Sequence, residues 1–184
     1  MPRIARLIPE CGALHVMCRG NNKRKVFRQE KDYKFYYNSL ISLKMEERIK
    51  VYHYCLMPNH VHLVVGVDED SNLSRFMQRV NGKYAYYYKK RHTYVGHLWQ
   101  DRFKSKIITR ESYLAQCGKY VELNPARAKM VGSPQEYSYS SYKHYALGIK
   151  DKLVDENPLF LSLDKDFNKR MEIYRDMLRA EMKL

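Results

Sequence analysis

The stretch PNHVHLVV, Pro58 to Val65, places His60 and His62 two positions apart in a run that is otherwise mostly apolar and β-branched. Such a run reads as a strand, and strand side chains alternate between faces. His60 and His62 therefore share one face, while Val61 and Leu63 turn to the other. Two neighbouring imidazoles suit a divalent metal that keeps an open position for substrate. Paired strand histidines also occur as hydrogen-bonded or stacked residues without chemistry, so the decision rests on the rest of the chain.

Working outward, the pattern predicts a first strand over Leu14 to Cys18, closed by the basic turn RGNNKRK, Arg19 to Lys25. Phe35, Tyr36, Leu40 and Leu43 are spaced for a helix over Asp32 to Lys44. A second strand is expected over Lys50 to Leu56, then a break at Met57-Pro58-Asn59, then the histidine strand to about Val67. Ser71 or Asn72 can cap a second helix, whose stripe is Leu73, Phe76, Met77, Val80, Tyr84 and Tyr87. The cluster Tyr84, Tyr86, Tyr87, Tyr88 reads as core and rim. Gly96 to Ile108 reads as a strand or hairpin with a basic centre, and a third helix runs from Glu111 to about Asn124, where Pro125 disfavours continuation. This order predicts an α+β, ferredoxin-like (split βαβ) antiparallel sheet with helices on one face. Residues 1–132 are expected to form the domain. Residues 133–184 are expected to be an extension: a polar, Tyr/Ser-rich irregular surface segment, then an amphipathic helix carrying Phe167, Met171, Tyr174 and Leu178.

The chain has 184 residues, room for one domain and an appendage. Its 34 Lys and Arg against 20 Asp and Glu give a formal charge of +14, the footprint of a protein that lies on phosphates. The 17 tyrosines strengthen that reading, because aromatic faces interleaved with cations hold unpaired bases. Cys11, Cys18, Cys55 and Cys117 form no CxxC pair, which argues against a zinc knuckle or disulfide framework and favours small core residues. No N-terminal stretch resembles a signal peptide, and no run approaches the ~20 apolar residues of a membrane span. An intracellular, cytoplasmic protein with no membrane partner is expected.

In the third helix, KYVELNP (Lys119 to Pro125) sets Tyr120 and Asn124 one turn apart on a shared face, with Gln116 one turn earlier. A tyrosine hydroxyl, with an ordinary pKa of about 10, is a poor nucleophile at neutral pH. It needs a metal-bound phosphate or a cation such as Lys119 to attack. Spacing alone leaves other readings open: Tyr120 as a rim residue, Asn124 as a cap, and Tyr113, two turns earlier, as a competing tyrosine.

Together, HVMCRGNN (His15 to Asn22), LMPNHVHLVV, GHLWQDRF and YVELNPARAKMV resemble the single-tyrosine HUH transposases. Among these they are most similar to the REP-associated tyrosine transposases, relatives of small insertion-sequence transposases. The resemblance spans about residues 13 to 147, and SSYKHY (Ser140 to Tyr145) also fits that branch. It implies an HUH endonuclease fold, a single Mg²⁺ or Mn²⁺ held by His60, His62 and Asn124, and Tyr120 as the nucleophile. Where the insertion-sequence branch more often has glutamine, Asn124 agrees with the REP-associated branch. The implied activity is cleavage and rejoining of single-stranded DNA at hairpins through a 5′-phosphotyrosine, in a bacterial, nucleoid-associated setting. Gln116 is a second-tier candidate. Arg19, Lys23, Arg24, Lys25, Arg102, Lys104 and Lys106 are candidate phosphate contacts, and Trp99 and Phe103 candidate stacking or core residues. The extension favours a monomer over the site-sharing dimers of the insertion-sequence branch. Two rivals stand beside this reading. One is a histidine-triad hydrolase, although Val64 stands where its third histidine would be; the other is a domesticated, non-catalytic hairpin-binding protein.

Overall fold

The computed structural model describes residues 8–182. Four strands, β1 (Gly12–Arg19), β2 (Lys50–Met57), β3 (His60–Val67) and β4 (Lys104–Ile108), form one antiparallel sheet in the order β2-β3-β1-β4. Helix α1 (Glu30–Lys44) links β1 to β2, and α2 (Leu73–His92) links β3 to β4. The result is the expected α+β split βαβ: each crossover skips one strand, and a shared handedness brings both helices to one face.

Alternation assigns the two faces. Leu14, Val16, Val61, Leu63 and Val65 are fully buried against Tyr36, Leu40, Phe76, Met77, Val80 and Tyr84 of α1 and α2. Asn72 caps α2 by accepting from the Arg75 N–H, and Tyr84 and Tyr88 are buried while Tyr86 is exposed, the core-and-rim division expected of that cluster.

The expectation of helices on one face alone is corrected by α3 (Glu111–Arg127). Leu114 and Val121 of α3 pack on Tyr52, Cys55, Met57 and Val64, the opposite side of the sheet. Nothing requires a helix that follows the last strand to return to the crossover side. The second set of alternating side chains on β2 and β3 is apolar enough to hold it. Gly118 sets the distance, since a Cβ there would lie 2.7 Å from His53 Nε2. The helix also passes Pro125 and ends at Arg127, beyond the stop expected at Asn124. Proline's φ is already helical, and the lost N–H bond and the crowding of its ring against the carbonyl one turn earlier fall in the last turn of the helix. The Ala128 N–H then bonds to the Asn124 carbonyl and the Met130 N–H to that of Pro125.

Two further stretches differ from expectation. Only Lys104–Ile108 is strand within 96–108; the preceding loop lies along the turn after β1 through the bridge Gly20↔Trp99. The Tyr/Ser-rich segment is not a surface loop. Tyr137, Ser141, Tyr142 and Tyr145 are buried against β2, the edge strand. The Tyr137 hydroxyl donates to Leu56 O at 2.6 Å, Tyr145 to Tyr52 O at 2.8 Å, and the Leu56 N–H to Tyr139 O at 2.9 Å. An edge strand's unpaired groups must be satisfied before they can be buried, and hydroxyl-rich sequence does that here. Helices α4 (Tyr142–Leu147), α5 (Pro158–Ser162) and α6 (Phe167–Met182) follow, with Phe160, Tyr174 and Leu178 buried in a third cluster. The expected amphipathic helix is α6. Cys18 and Cys55 are buried as expected, whereas Cys11 is exposed. Among the described residues, no helix is long and apolar enough to cross a membrane.

Candidate active site

His60 and His62 project from β3 towards α3, and β1 adds His15 on the same face. In the antiparallel register His62 lies opposite Met17 and His60 opposite Arg19, so His15 is two residues along from the partner of His62. The His60 and His62 ring centroids are 4.8 Å apart, edge to face. Tyr120 of α3 closes the group, its ring 5.7 Å from that of His62 and 6.2 Å from that of His15. It is 43% exposed, so its hydroxyl is reachable from solvent.

Each histidine has one nitrogen engaged. His60 Nδ1 lies 2.6 Å from Asn59 Oδ1, an acceptor, so Nδ1 carries the proton and Nε2 keeps its lone pair. His62 Nδ1 lies 2.9 Å from His15 Nε2, and the rings stack at 5.1 Å. When His62 donates in that bond, its Nε2 also presents a lone pair. The Asn124 amide donates to the Tyr120 carbonyl at 3.1 Å, which leaves Oδ1 unengaged. Two imidazole nitrogens with their opposite nitrogens engaged, plus one amide oxygen, would make a neutral donor set of the kind a divalent ion accepts. No cluster of three or more His, Cys, Asp or Glu among the described residues is arranged to hold a metal. The amide oxygen would have to complete the set.

Burial pushes the His62 imidazole down to a pKa of about 3, with the neighbouring His60 and His15 adding to the effect. Burial also lowers His60, helped by Arg19, and His15, helped by Lys106. All three are thus neutral, as ligation requires. An unfolded His62 takes up its proton near 6.5. Below that pH the unfolded state binds more protons, so the stability contributed is complete above 6.5 and is lost as pH falls towards the folded value. The thermal midpoint is expected to drop between about pH 7 and about pH 5, and His62→Gln to flatten that slope in calorimetry.

The remaining candidates divide by location. Arg19, Lys104 and Lys106 lie on the histidine face, since Lys106 is the register partner of His15 and Lys104 of Met17. Lys23, Arg24 and Lys25 are exposed on the turn beside Asn59, whose amide reaches Lys23 O. Arg102 is exposed in the 96–103 loop. Gln116 is exposed one turn before Tyr120, and its side chain hydrogen-bonds to nothing among the described residues. Lys119 is turned away: its Nζ pairs with Glu181 of α6 at 3.1 Å. Tyr113 is half exposed and contacts none of the three rings. Sequence reasoning missed His15 and Asn59 as partners of the histidines. The signal available was HxM in the first strand, in phase with the histidine strand, and an asparagine directly before His60.

Residues 11–124 match the family described as "Transposase IS200 like". The chain belongs to the IS200-like transposase family. No curated protein matches it in sequence. Among solved structures, this IS200-like transposase is similar to a REP-associated tyrosine transposase bound to a REP hairpin. The identity is 14%, with 85% of this chain and 93% of that one covered and a TM-score of 0.68. That likeness is one of fold. Two more distant likenesses are a candidate transposase of Deinococcus radiodurans and the tRNA(His) guanylyltransferase of Saccharomyces cerevisiae. The first is 17% identical over 66% of this chain and 96% of that one, TM-score 0.46. The second is 9% identical over 73% and 72%, TM-score 0.48.

Proposed function

We propose that this IS200-like transposase cleaves and rejoins single-stranded DNA at hairpin-associated sites through a 5′-phosphotyrosine on Tyr120. The observation that carries the reading is the approach of the Tyr120 ring to His62 within one chain, beside imidazoles whose second nitrogens are fixed. His60, His62 and Asn124 would hold Mg²⁺ or Mn²⁺. When bound, the ion supplies Lewis-acid polarisation of the scissile phosphate. Tyr120 Oη forms a bond to phosphorus as the P–O3′ bond breaks; the phenol gives up its proton and the departing 3′ oxygen gains one. Since a phosphodiester is retained, a second 3′ hydroxyl can reverse the step and join strands without a nucleotide cofactor. Arg19, Lys104 and Lys106 would take flanking phosphates, and the Lys23–Lys25 turn the hairpin backbone. Gln116 is kept as a candidate at the rim of the site.

In this reading residues 1–132 are the transposase domain and residues 133–184 an extension that braces α3. In the same reading the protein works as a monomer in the cytoplasm, on nucleoid DNA; the approach of Tyr120 to His62 within one chain supports this. The test is an adduct assay. A labelled pool of single-stranded hairpins with Mn²⁺ is expected to leave label at protein mass on a denaturing gel, and EDTA to remove it. Tight hairpin binding that ignores EDTA and yields no adduct would favour the domesticated binding protein. Cleavage with free ends and no adduct would favour a hydrolase.

His15 enters as a positioning residue. Accepting from His62 Nδ1, it would leave His62 Nε2 as the nitrogen free to hold a metal. His15→Phe, which keeps a ring but loses the acceptor, is expected to weaken Mn²⁺ binding about 10–100-fold by calorimetry. Unchanged affinity would remove His15 from the site.

A further inference from the structure

The turn after β1 lies directly against the break between β2 and β3. The Pro58 carbonyl accepts from the Val26 N–H at 2.7 Å and the Phe27 N–H at 3.0 Å, and the Asn59 carbonyl accepts from the Gly20 N–H at 2.8 Å. Glycine is needed for that approach, since a Cβ at Gly20 would lie 2.4 Å from Arg24 O and 3.3 Å from Asn59 O. From α2, Tyr88 Oη donates to Lys25 O at 3.2 Å and Tyr84 Oη to Val26 O. Within the turn Asn22 and Lys23 both hold left-handed backbone, at φ 54° and 58°. Such a conformation is costly for a residue with a side chain and persists only where its surroundings impose it. In it the Lys23 carbonyl accepts from Asn59 Nδ2 at 3.4 Å.

A main-chain carbonyl can only accept, so the end of the Asn59 amide that faces Lys23 is its NH₂ and the other end is its oxygen. That oxygen lies 2.6 Å from His60 Nδ1, which must then carry the ring proton; a proton on Nε2 instead would set two acceptors against each other. The geometry points to Asn59 as a positioning residue through which the backbone of the 20–25 turn selects the His60 nitrogen left open for a ligand. Its weight for the reaction rests on the metal reading above, whereas the ring proton belongs to the metal-free protein. Asparagine meets both demands at once, a donor for Lys23 O and an acceptor for His60 Nδ1–H. Aspartate keeps only the second, and leucine neither. The shape of the turn, and not its positive charge alone, therefore bears on how the histidine strand holds an ion.

The test begins on the metal-free, full-length protein, where the nitrogen NMR shifts of the His60 ring report which nitrogen holds the proton. Wild type is expected to show it on Nδ1. Asn59→Leu, similar in volume but without either polar atom, is expected to show a mixture of both forms. In calorimetry with Mn²⁺ alone, Asn59→Leu is expected to bind about 10–100-fold more weakly. Asn59→Asp keeps the acceptor, so it should retain the Nδ1 proton and recover most of that loss. A purely structural role would lower the melting midpoint without moving the ring proton. The turn is tested at Asn22, which is exposed. Asn22→Gly accepts left-handed backbone and should match wild type in ring proton and Mn²⁺ affinity. Asn22→Val, β-branched, resists it and should shift both in the direction of Asn59→Leu. An Nδ1 proton that persists in folded Asn59→Leu would overturn this role, as would an Asn22→Val that behaves like Asn22→Gly. Failure of wild type to bind Mn²⁺ would remove the metal reading, and the ring shifts would still decide the role of Asn59.

Discussion

Tyr120→Phe is expected to abolish the covalent adduct and lower strand cleavage at least about 10³-fold, while hairpin affinity changes by less than about twofold. The substitution removes one oxygen and nothing else. Phenylalanine keeps the edge contacts with His62 and His15, and the Tyr120 hydroxyl has no hydrogen-bond partner among the described residues. Stability and the histidine arrangement should therefore survive. Tyr113→Phe is the control, half exposed on the same helix but touching none of the three rings, and should cleave like the wild type. The pair is read on one denaturing gel with a binding isotherm beside it. Full cleavage by Tyr120→Phe would sink the nucleophile assignment, and a loss shared with Tyr113→Phe would move it to the other tyrosine.

The sheet was legible because period-two alternation is a local signal. His60 and His62 share a face wherever β3 goes, and the breaks at Met57-Pro58-Asn59 and Arg19 to Lys25 mark where strands end. The family motifs then singled out Tyr120 among 17 tyrosines, which helical spacing alone could not do. What sequence hid was the relation between elements. That α3 crosses to the histidine face depends on a second apolar surface made jointly by β2 and β3, visible only once they pair. The pairing of His15 with His62 spans 47 positions and follows from register, to which neither strand alone is a guide. The segment 133–148 misled because its hydroxyls look solvated in isolation. Against the open edge of β2 they are partners for main-chain groups that would otherwise stay wet.

Glu122→Ala is expected to cost about 3–5 kcal/mol, the second large effect, and to lower the melting midpoint by roughly 10 °C. Glu122 is fully buried on α3, two residues after Tyr120, and three donors converge on its carboxylate. Ser141 Oγ reaches it at 2.7 Å, Tyr174 Oη at 2.9 Å and His53 Nδ1 at 2.9 Å. The Asn157 amide donates to His53 Nε2 at 2.9 Å, which leaves Nδ1 as the nitrogen that carries the proton. One side chain thus ties α3 to β2, to the start of α4 and to α6. Alanine leaves three buried donors without an acceptor and a void beside Gly118, where α3 comes closest to the sheet. Glu122→Gln keeps the volume and one carbonyl oxygen, and the hydroxyls can rotate to accept from its amide, so a smaller loss of about 1–2 kcal/mol is expected. Because the same helix aims Tyr120 at His62, adduct formation should slow in Glu122→Ala well below its own melting point, yet without reaching the level of Tyr120→Phe. A melting curve like that of wild type would mean that the extension does not brace α3. A destabilised variant with undiminished adduct formation would separate the bracing of the fold from the aim of the tyrosine.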